Sequence, residues 1–377
     1  QNGYGSYQFG MGGSMTMLPD AVENTVGNSE VTWEKVRKQN YGIDLKMFGA
    51  RLSLTADYFF EHRYDILSTR NTLPSIVAIE LPLINLGEVD NRGYEISLGW
   101  NSRTEKIDWW VQGNVSYSKN KIIFMDEVMP NYPWMAQTGR STGLNYGYRF
   151  DRFLQADDFD ADGALKTDGE GKPLLPVMSL GSPRPGDALF KDLNGDGKID
   201  GNDKTYFGYS QRPDYVLGLL GGFRYKNFEI SMQWTAGLHA SRMLSGEYRN
   251  AFGSTNGRAL LKFLADGRWT PENPDARFPR LTFLNKSHYL EDSDLWLMDG
   301  SYLRLKVAEI GYTFRDIPAF RKVGVKSLKV YFSGYNLLTL FSDLNDIDID
   351  PEGATSGSNI DSYPNVRIFN FGVNITF

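Results

Sequence analysis

The sequence predicts an all-β fold in which the chain supplies part of a transmembrane, antiparallel β-barrel. Its 377 residues include 23 Phe, 21 Tyr, 8 Trp and 39 Gly. Aromatic residues favour strands, and glycine favours turns. Apolar and polar residues alternate at the end of the sequence, where one parity holds Phe369, Phe371, Val373, Ile375 and Phe377. Alternate residues of a strand point to opposite faces, so this segment is a strand with one apolar face.

The same alternation recurs along the chain. Clear examples are RLSLTADYFF at 51–60, YEISLGW at 94–100 and NFEISMQWTAGL at 227–238. Several segments exceed the usual strand length and suit the roughly 9–11 tilted residues that cross a bilayer. About twelve strands are predicted, at 4–15, 31–48, 50–66, 90–101, 108–122, 143–154, 186–193, 213–225, 227–242, 300–314, 325–335 and 363–377.

Two of these predicted strands need a further assumption. The segment 186–193 is included because strand directions must alternate when they are counted back from Phe377. Within 300–314, the apolar positions continue through Val307 and then change parity at Ala308. Such a change of parity predicts a β-bulge.

The predicted connections are of two kinds. Tight or short connections lie at 49, 102–107, 226–227 and 315–324. Long connections, rich in Gly, Pro, Asp and Asn, lie at 67–89, 155–212, 243–299 and 336–362. Short turns at one end of the strands and long extracellular loops at the other are typical of outer-membrane barrels.

A soluble β-sandwich is the main alternative, because its inner faces also alternate, and composition alone favours it. The chain is 41% hydrophobic, and its mean hydropathy is −0.40. Long strands and the many Trp residues argue against a sandwich. The polar parity also repeatedly carries charged and amide side chains, as a water-filled lumen requires. These residues are Arg51, Asp57, Glu95, Gln112, Asn114, Glu229 and Gln233.

The composition excludes several classes of function. Net charge is −6 with no dense Lys/Arg cluster, so no nucleic acid partner is expected. The absence of Cys excludes thiolate metal sites, thiol catalysis and disulfides, while it leaves the compartment open. The sequence contains no run of about 18 apolar residues, so it predicts no membrane-spanning helix. The segment QNGYGSYQFG at 1–10 lacks the features of a signal peptide.

The strongest short motif is DLNGDGKIDGND at 192–203. Gly197 permits a sharp turn at loop position 6, and oxygen ligands are available at positions 1, 3, 5, 7, 9 and 12. They belong to Asp192, Asn194, Asp196, the Lys198 carbonyl, Asp200 and Asp203. This spacing predicts a Ca²⁺ site, with Mg²⁺ as the other candidate ion and an ordinary acidic turn as the structural alternative. Position 12 is Asp where Glu is usual, and the flanks look extended, which favours a structural clip over a sensor.

Two further loop features have a structural interpretation beside a functional one. The acidic stretch at 157–162 partly repeats the same spacing but lacks the later oxygens, which favours a solvated loop. Aromatic residues in loops suit stacking on sugar rings, and they equally suit interface anchoring or loop packing. These aromatic residues are Tyr132, Trp134, Trp269 and Trp296.

The sequence offers little support for catalysis. His62, His239 and His288 are scattered and form no metal-ligand spacing such as HExxH. No GxSxG, P-loop or dinucleotide-binding fingerprint occurs. Loop carboxylates are plentiful, but their separation is not readable from sequence. We therefore expect that the protein is not an enzyme and has no catalytic residues.

The motifs together resemble those of the SusC/RagA-like TonB-dependent outer-membrane transporters of Bacteroidota. The resemblance runs in the family's order from about Trp33 to the end of the sequence. The longest matching segment is 192–237, which contains the acidic motif and RPDYVLGLLGGFRY. The others are VDNRGYEISLGW, NVSYSKNKI, GYRFDRFLQ, SYLRLKVAEIGYTF, VYFSGYNLLTL, DIDPEG and FNFGVNITF.

The resemblance implies an integral protein of the cell outer membrane with a barrel of about 22 strands. It also implies an internal plug, energisation through TonB, and a SusD-like surface lipoprotein that captures glycan or peptide oligomers. Residues 1–377 match the C-terminal part of such a barrel, so the plug, the TonB box and the first barrel half are expected to be absent from this chain. Exposed strand edges are costly in lipid, and the remaining barrel half is therefore an expected partner.

Three functional hypotheses follow. The first is nutrient import as part of such a transporter, with outer-membrane lipid around the apolar face and an oligosaccharide or peptide as substrate. The second is a calcium-stabilised surface adhesin or structural β protein that transports nothing. The third is a soluble, β-rich, glycan-degrading enzyme.

Overall fold

The computed structural model describes residues 2–9, 16–23, 27–72, 82–104, 107–252, 260–283, 287–315, 317–322, 324–353 and 365–377. In chain order, the strands are β1 (Asn2–Phe9), β2 (Thr16–Glu23), β3 (Lys35–Met47), β4 (Leu52–Ser68), β5 (Ile84–Arg103), β6 (Ile107–Phe124), β7 (Asn145–Gly147), β8 (Phe150–Phe153), β9 (Val177–Met178), β10 (Ala188–Phe190), β11 (Lys198–Ile199), β12 (Thr205–Phe207), β13 (Tyr215–Tyr225), β14 (Phe228–Leu238), β15 (Ser241–Met243), β16 (Leu297–Asp299), β17 (Tyr302–Arg315), β18 (Ser327–Leu340) and β19 (Ile368–Thr376).

Helices in the described residues are few and short. They are α1 (Lys262–Asp266), α2 (Ser287–Leu290) and α3 (Pro318–Arg321). Single 3₁₀ turns lie at Pro133–Met135, Ala156–Asp158, Gly201–Asp203, Gly246–Tyr248, Asp294–Trp296 and Asp343–Ile347. Within the described ranges, no helix has the length and apolar character needed to cross a membrane.

One large sheet contains nine strands, in the order β19-β18-β17-β14-β13-β6-β5-β4-β3. Each strand pairs with the next long strand along the chain, and the strands from β6 to β19 pair antiparallel. Lys226 has a φ of 53° in the two-residue turn between β13 and β14, where Tyr225 pairs with Phe228. The connections from β14 to β17 and from β18 to β19 are long, as predicted.

Three of the predicted strand segments differ from the observed strands. The segment 143–154 divides into β7 and β8, and the segment 186–193 contains only β10. β7 pairs with β12 and β8 pairs with β10, and both pairs lie outside the large sheet. Ala188, Leu189 and Phe190 are all buried, so neither face of β10 is available to lipid. The segment 4–15 corresponds to β1, which pairs with a strand that was not predicted, β2, and residues 10–15 lie outside the described residues.

The predicted bulge in β17 is confirmed, one position earlier than the sequence suggested. Leu305 pairs with Trp234 and Val307 pairs with Gln233, which leaves Lys306 without a partner in the ladder to β14. The register to β18 shifts at the same place. Because the extra residue reverses the parity, Val307 joins the polar face and was wrongly grouped with Leu303 and Leu305.

The chain forms two compact units, one of residues 1–40, 59–92 and 119–142, and one of residues 41–58, 93–118 and 143–377. In the first unit, ion pairs connect β4 to β3 and to the residue before it. Lys35 Nζ lies 2.8 Å from Asp65, Lys38 Nζ lies 2.7 Å from Glu61, and an Arg63 nitrogen lies 2.6 Å from Glu34.

The second unit contains a hydrophobic cluster built from its long connections, which we call the loop core. Leu154, Ile199, Leu244 and Leu344 are fully buried in it. The other members are Tyr148, Phe153, Phe159, Met178, Ala188, Leu189, Phe190, Leu264, Trp269, Phe278, Leu295, Trp296, Met298 and Ile347. These residues come from the connections between β6 and β13, between β14 and β17, and between β18 and β19, so three loops share one interior.

Candidate functional site

The apolar face of the large sheet forms continuous rows across six strands in the second unit. Residues directly opposite one another in the ladders of β6, β13, β14, β17, β18 and β19 are Trp109, Phe223, Ile230, Ile310, Phe332 and Phe371. Phe371 is 72% exposed and Phe332 is 46% exposed. A soluble monomer rarely exposes a contiguous apolar surface of this extent, whereas a lipid-facing barrel wall requires one.

The opposite face carries a row of alternating charges. Arg224 lies 3.9 Å from Asp108 on β6 and 2.9 Å from Glu229 on β14. Lys329 on β18 lies 4.0 Å from Glu229 and 2.7 Å from Glu309 on β17. These side chains are partly exposed, so each pair contributes only about 0–1 kcal/mol to stability. Their effect is to keep this face hydrophilic, as the wall of an aqueous passage requires.

A buried ionic network attaches the segment before Gly353 to the polar face of β17. Arg304 is 3% exposed and donates at 2.8 Å to both Asp350 and Glu352, and at 3.0 Å to the Thr339 hydroxyl. Burial by itself raises the pKa of Asp350, but hydrogen bonds from Arg304 and backbone amides outweigh it and hold the pKa below its usual range. The sequence shows DIDPEG only as a motif, because the ionic partner of Asp350 lies 46 residues away.

The predicted metal loop folds around its own carboxylates. Asp192 accepts from the amides of Gly195 at 2.7 Å and Gly197 at 2.8 Å. Asp203 is fully buried and accepts from the amides of Leu193 at 2.8 Å and Asp200 at 2.9 Å. The remaining ligand candidates also make local bonds: Asn194 accepts from Asp196, Asp196 from Lys198, and Asp200 from Asn202.

The turn and the donor atoms of this loop fit a cation site, but the directions of its carboxylates do not. Gly197 has a φ of 81°, which suits glycine and gives the sharp turn that the spacing requires. The donor set is all oxygen, as Ca²⁺ and Mg²⁺ prefer. The carboxylates face their own amides, however, and in the described part of the chain no three His, Cys, Asp or Glu side chains converge as a metal-holding group. The Ca²⁺ site therefore stays a prediction.

The other loop features have structural roles. Asp160 accepts from the amides of Asp162 and Ala164, which closes a tight turn in the second acidic stretch. Trp269 is 7% exposed and Trp296 is 1% exposed in the loop core, so neither presents a free ring face to a sugar. In the first unit, Tyr132 and Trp134 stack with ring centroids 4.5 Å apart.

Comparisons with known proteins identify relatives over nearly the whole chain. The family model described as "TonB dependent receptor-like, beta-barrel" matches residues 2–337. TonB-dependent receptor P3 of Formosa agariphila is 30% identical over 93% of this chain, and TonB-dependent receptor SusC of Bacteroides thetaiotaomicron is 24% identical over 100% of it. The chain spans about 35% of the length of each of these curated relatives.

A solved structure shows the same fold. The RagAB peptide importer in its "open-open" state superposes with a TM-score of 0.68 at 19% sequence identity. The match covers 100% of this chain and 38% of the solved chain.

Proposed function

Because the chain belongs to the family of TonB-dependent receptor β-barrels, we propose that it forms part of an outer-membrane importer of oligomeric nutrients. Family membership makes it an integral outer-membrane barrel protein and not an enzyme. The observation that carries the import proposal is the division of one antiparallel sheet into an exposed apolar face and a charged polar face. The apolar face meets lipid, and the polar face lines the path of the nutrient.

Partners follow from the same proposal. The edges of the nine-stranded sheet are β3 and β19. An unpaired amide or carbonyl in hydrocarbon costs several kcal/mol, so further barrel strands pair with both edges and enclose a plug. The likeness to SusC and to the RagAB peptide importer supports TonB as the energy source, a SusD-like lipoprotein as the lid, and a glycan or peptide oligomer as the cargo.

Uptake by whole cells tests the import proposal. A strain that lacks the receptor gene should lose uptake of at least one labelled oligosaccharide or peptide, and the wild-type gene should restore it. A protonophore should abolish the uptake because energy reaches the receptor through TonB. If deletion abolishes surface attachment and leaves uptake of every oligomer unchanged, the adhesin alternative replaces the import proposal.

We propose, as a separate structural role, that the 192–203 loop binds one Ca²⁺. The oxygen spacing and the conformation of Gly197 support it. Extracellular Ca²⁺ modules bind with dissociation constants on the order of 10⁻⁴–10⁻³ M, and a loop without Glu at position 12 belongs in that range. Mg²⁺ is the alternative ion.

Calcium-dependent heat stability tests this role. Millimolar Ca²⁺ should raise the melting temperature of the intact receptor, and the double substitution Asp192→Asn with Asp196→Asn should abolish the increase. Asp162→Asn, in the other acidic turn, is the matched control and should leave the increase unchanged. A melting temperature that does not respond to millimolar Ca²⁺ in the wild-type receptor would refute the proposal.

A further inference from the structure

The apolar face of the large sheet carries a groove of about 590 Å³ in the second unit. The groove crosses the five neighbouring strands from β5 to β17, which is four interstrand spacings or about 19 Å. Asn114, Gly218 and Thr235 line it from the polar parity, so they contribute backbone to its floor. The side chains that shape it are apolar or aromatic and belong to Leu98, Leu219, Trp234, Ala236 and Leu303.

Two small residues create the groove. Gly113 lies opposite Leu219, and a Cβ on Gly113 would meet no described atom within 4 Å except a Leu219 methyl carbon at 3.9 Å. Ala236 contributes only a methyl group, next to Trp234 in the pattern of the same face. Leu98 and Leu219 are 51% and 47% exposed and stand beside this gap. The barrel wall is therefore indented where its neighbouring side chains project.

The groove lies in the outer half of the membrane. The long 155–212 connection joins β13 at Tyr215, and the two-residue turn to β14 joins it at Tyr225. Long loops of outer-membrane barrels are extracellular, so Tyr215 marks the outer boundary. Leu217 and Leu219 follow it by two and four residues, or about 5 and 9 Å along the membrane normal. This depth belongs to the acyl chains of the outer leaflet.

A row of aromatic rings borders the groove on its extracellular side. The ring centroids of Tyr94 and Tyr117 are 5.4 Å apart, and those of Tyr117 and Tyr215 are 4.5 Å apart. Each tyrosine is two residues from a groove-lining residue of its own strand. The edge of His239 continues the row, 5.2 Å from the Tyr215 ring. Tyrosine suits the headgroup level, because its ring contacts hydrocarbon while its hydroxyl bonds polar groups.

The surroundings of the groove select its occupant. It is continuous with the face that meets lipid, and none of the described residues that line it is charged. A polar ligand would lose its hydrogen bonds there without replacement. A hydrocarbon chain is flexible enough to follow the indentation, and it restores the contacts that an unfilled space would forfeit.

We propose that this groove holds one acyl chain of an outer-leaflet lipid as a bound ligand, with the ester group of that lipid at Tyr94, Tyr117 and Tyr215. The bound chain exchanges more slowly than the lipid around the rest of the barrel, because the groove contacts it on its floor and on both sides. The site lies on the face away from the passage, so it is independent of the cargo and of the import function.

Fluorescence quenching in the intact receptor tests the proposal. The probe is phosphatidylethanolamine with brominated acyl chains, added to the receptor in detergent micelles. Comparison with Trp234→Phe isolates the signal of Trp234 in the groove, and Trp109→Phe isolates that of Trp109, which is 41% exposed on the same face outside it. Quenching of Trp234 should reach half its maximum at a lipid fraction about tenfold lower than quenching of Trp109. Equal fractions would overturn the proposal.

A variant that fills the groove gives a second measurement. Gly113→Leu should abolish the quenching of Trp234 at low lipid fraction, and native mass spectrometry should show one retained lipid fewer than in the wild type. Gly221→Leu is the matched control, because Gly221 lies on the same face outside the groove, between Val111 and Met232. Heat-modifiable migration on a gel reports whether both variants are folded, and the wild-type titration stands without them.

The mass of the retained ligand separates the lipid from other occupants. A lipid that remains bound to Gly113→Leu as it does to the wild type would overturn the proposal. So would a second receptor copy, or the acyl anchor of a lipoprotein, that Gly113→Leu releases while the number of retained lipids stays unchanged.

Discussion

Leu219 and Leu220 are adjacent leucines of β13 on opposite faces of the sheet, so they give a matched test of membrane orientation. Leu219 lies between Gly113 and Trp234 on the apolar face, and Leu220 lies between Gln112 and Gln233 on the polar face. They are 47% and 40% exposed, so neither substitution disrupts a packed core. We predict that Leu219→Arg is strongly destabilising and that Leu220→Arg is tolerated.

The magnitude follows from the depth of the two residues. The ten steps from Tyr215 to Tyr225 cover roughly 33 Å at about 3.3 Å each, or about 23 Å along the membrane normal at a tilt of about 45°. This length matches an apolar band of about 25 Å, with a tyrosine at each boundary. Leu219 is four steps from Tyr215, about 9 Å below that boundary and close to the midplane. Arginine there costs about 2–4 kcal/mol.

Urea titration of the receptor inserted in lipid vesicles measures the two costs. The unfolding midpoint of Leu219→Arg should fall by the amount that corresponds to this free energy, whereas Leu220→Arg should lie within about 1 kcal/mol of the wild type. Equal losses for both variants would show that both faces meet the same medium. That result would refute the assignment of one face to lipid and the other to an aqueous passage.

Three further outcomes are expected. Replacing Arg304 with Met removes the cation that pairs with the buried Asp350, while Lys306 still pairs with Glu352. The uncompensated Asp350 charge should cost roughly 3–5 kcal/mol and expose residues 343–353 to limited proteolysis. Burial lowers the pKa of His288, whereas the neighbouring Asp187 opposes this effect and Arg280 adds to it. The unfolded loop therefore binds a proton first, so the loop core should lose stability as pH falls below about 6.5, and His288→Gln should flatten the pH dependence of its proteolysis. A Cβ on Gly372 would lie 2.3 Å from the Tyr331 ring, so Gly372→Ala should lower the urea midpoint. Gly324 has a positive φ and open space around it, so Gly324→Ala measures the cost of backbone strain without a steric clash.

Alternation was sufficient to predict the long strands. Segments such as 227–238 have one apolar and one polar parity, because each face meets a different medium, and they are strands in the structure. The segment 186–193 was predicted from the count of strand directions and not from alternation, and there the count failed: both parities are buried in the loop core and the strand has only three residues. The bulge was predictable as a change of parity, but its position at Lys306 depends on the register with both neighbouring strands.

The candidate site was less predictable than the fold. The acidic spacing at 192–203 is local and readable, whereas the Arg304 network joins residues about 46 positions apart in sequence. The aromatic residues Trp269 and Trp296 were candidates for sugar stacking, and they are packing residues because burial is a property of the assembled loops. Only their positions in loops could be derived from the sequence.

The composition of the loop core predicts an order of events during folding. Leu154 precedes β13, Leu264 lies between β14 and β17, and Leu344 follows β18, yet all three are buried in one cluster. Contacts between such distant segments form only after the intervening chain has been closed into loops, and that closure carries an entropic cost. Pairing of β13, β14, β17 and β18 brings the three segments together, so we expect the core to be completed after the strands. A receptor stalled during membrane assembly would therefore expose this core to proteases and chaperones, and acquisition of protease resistance at the loops would report the last stage of its maturation.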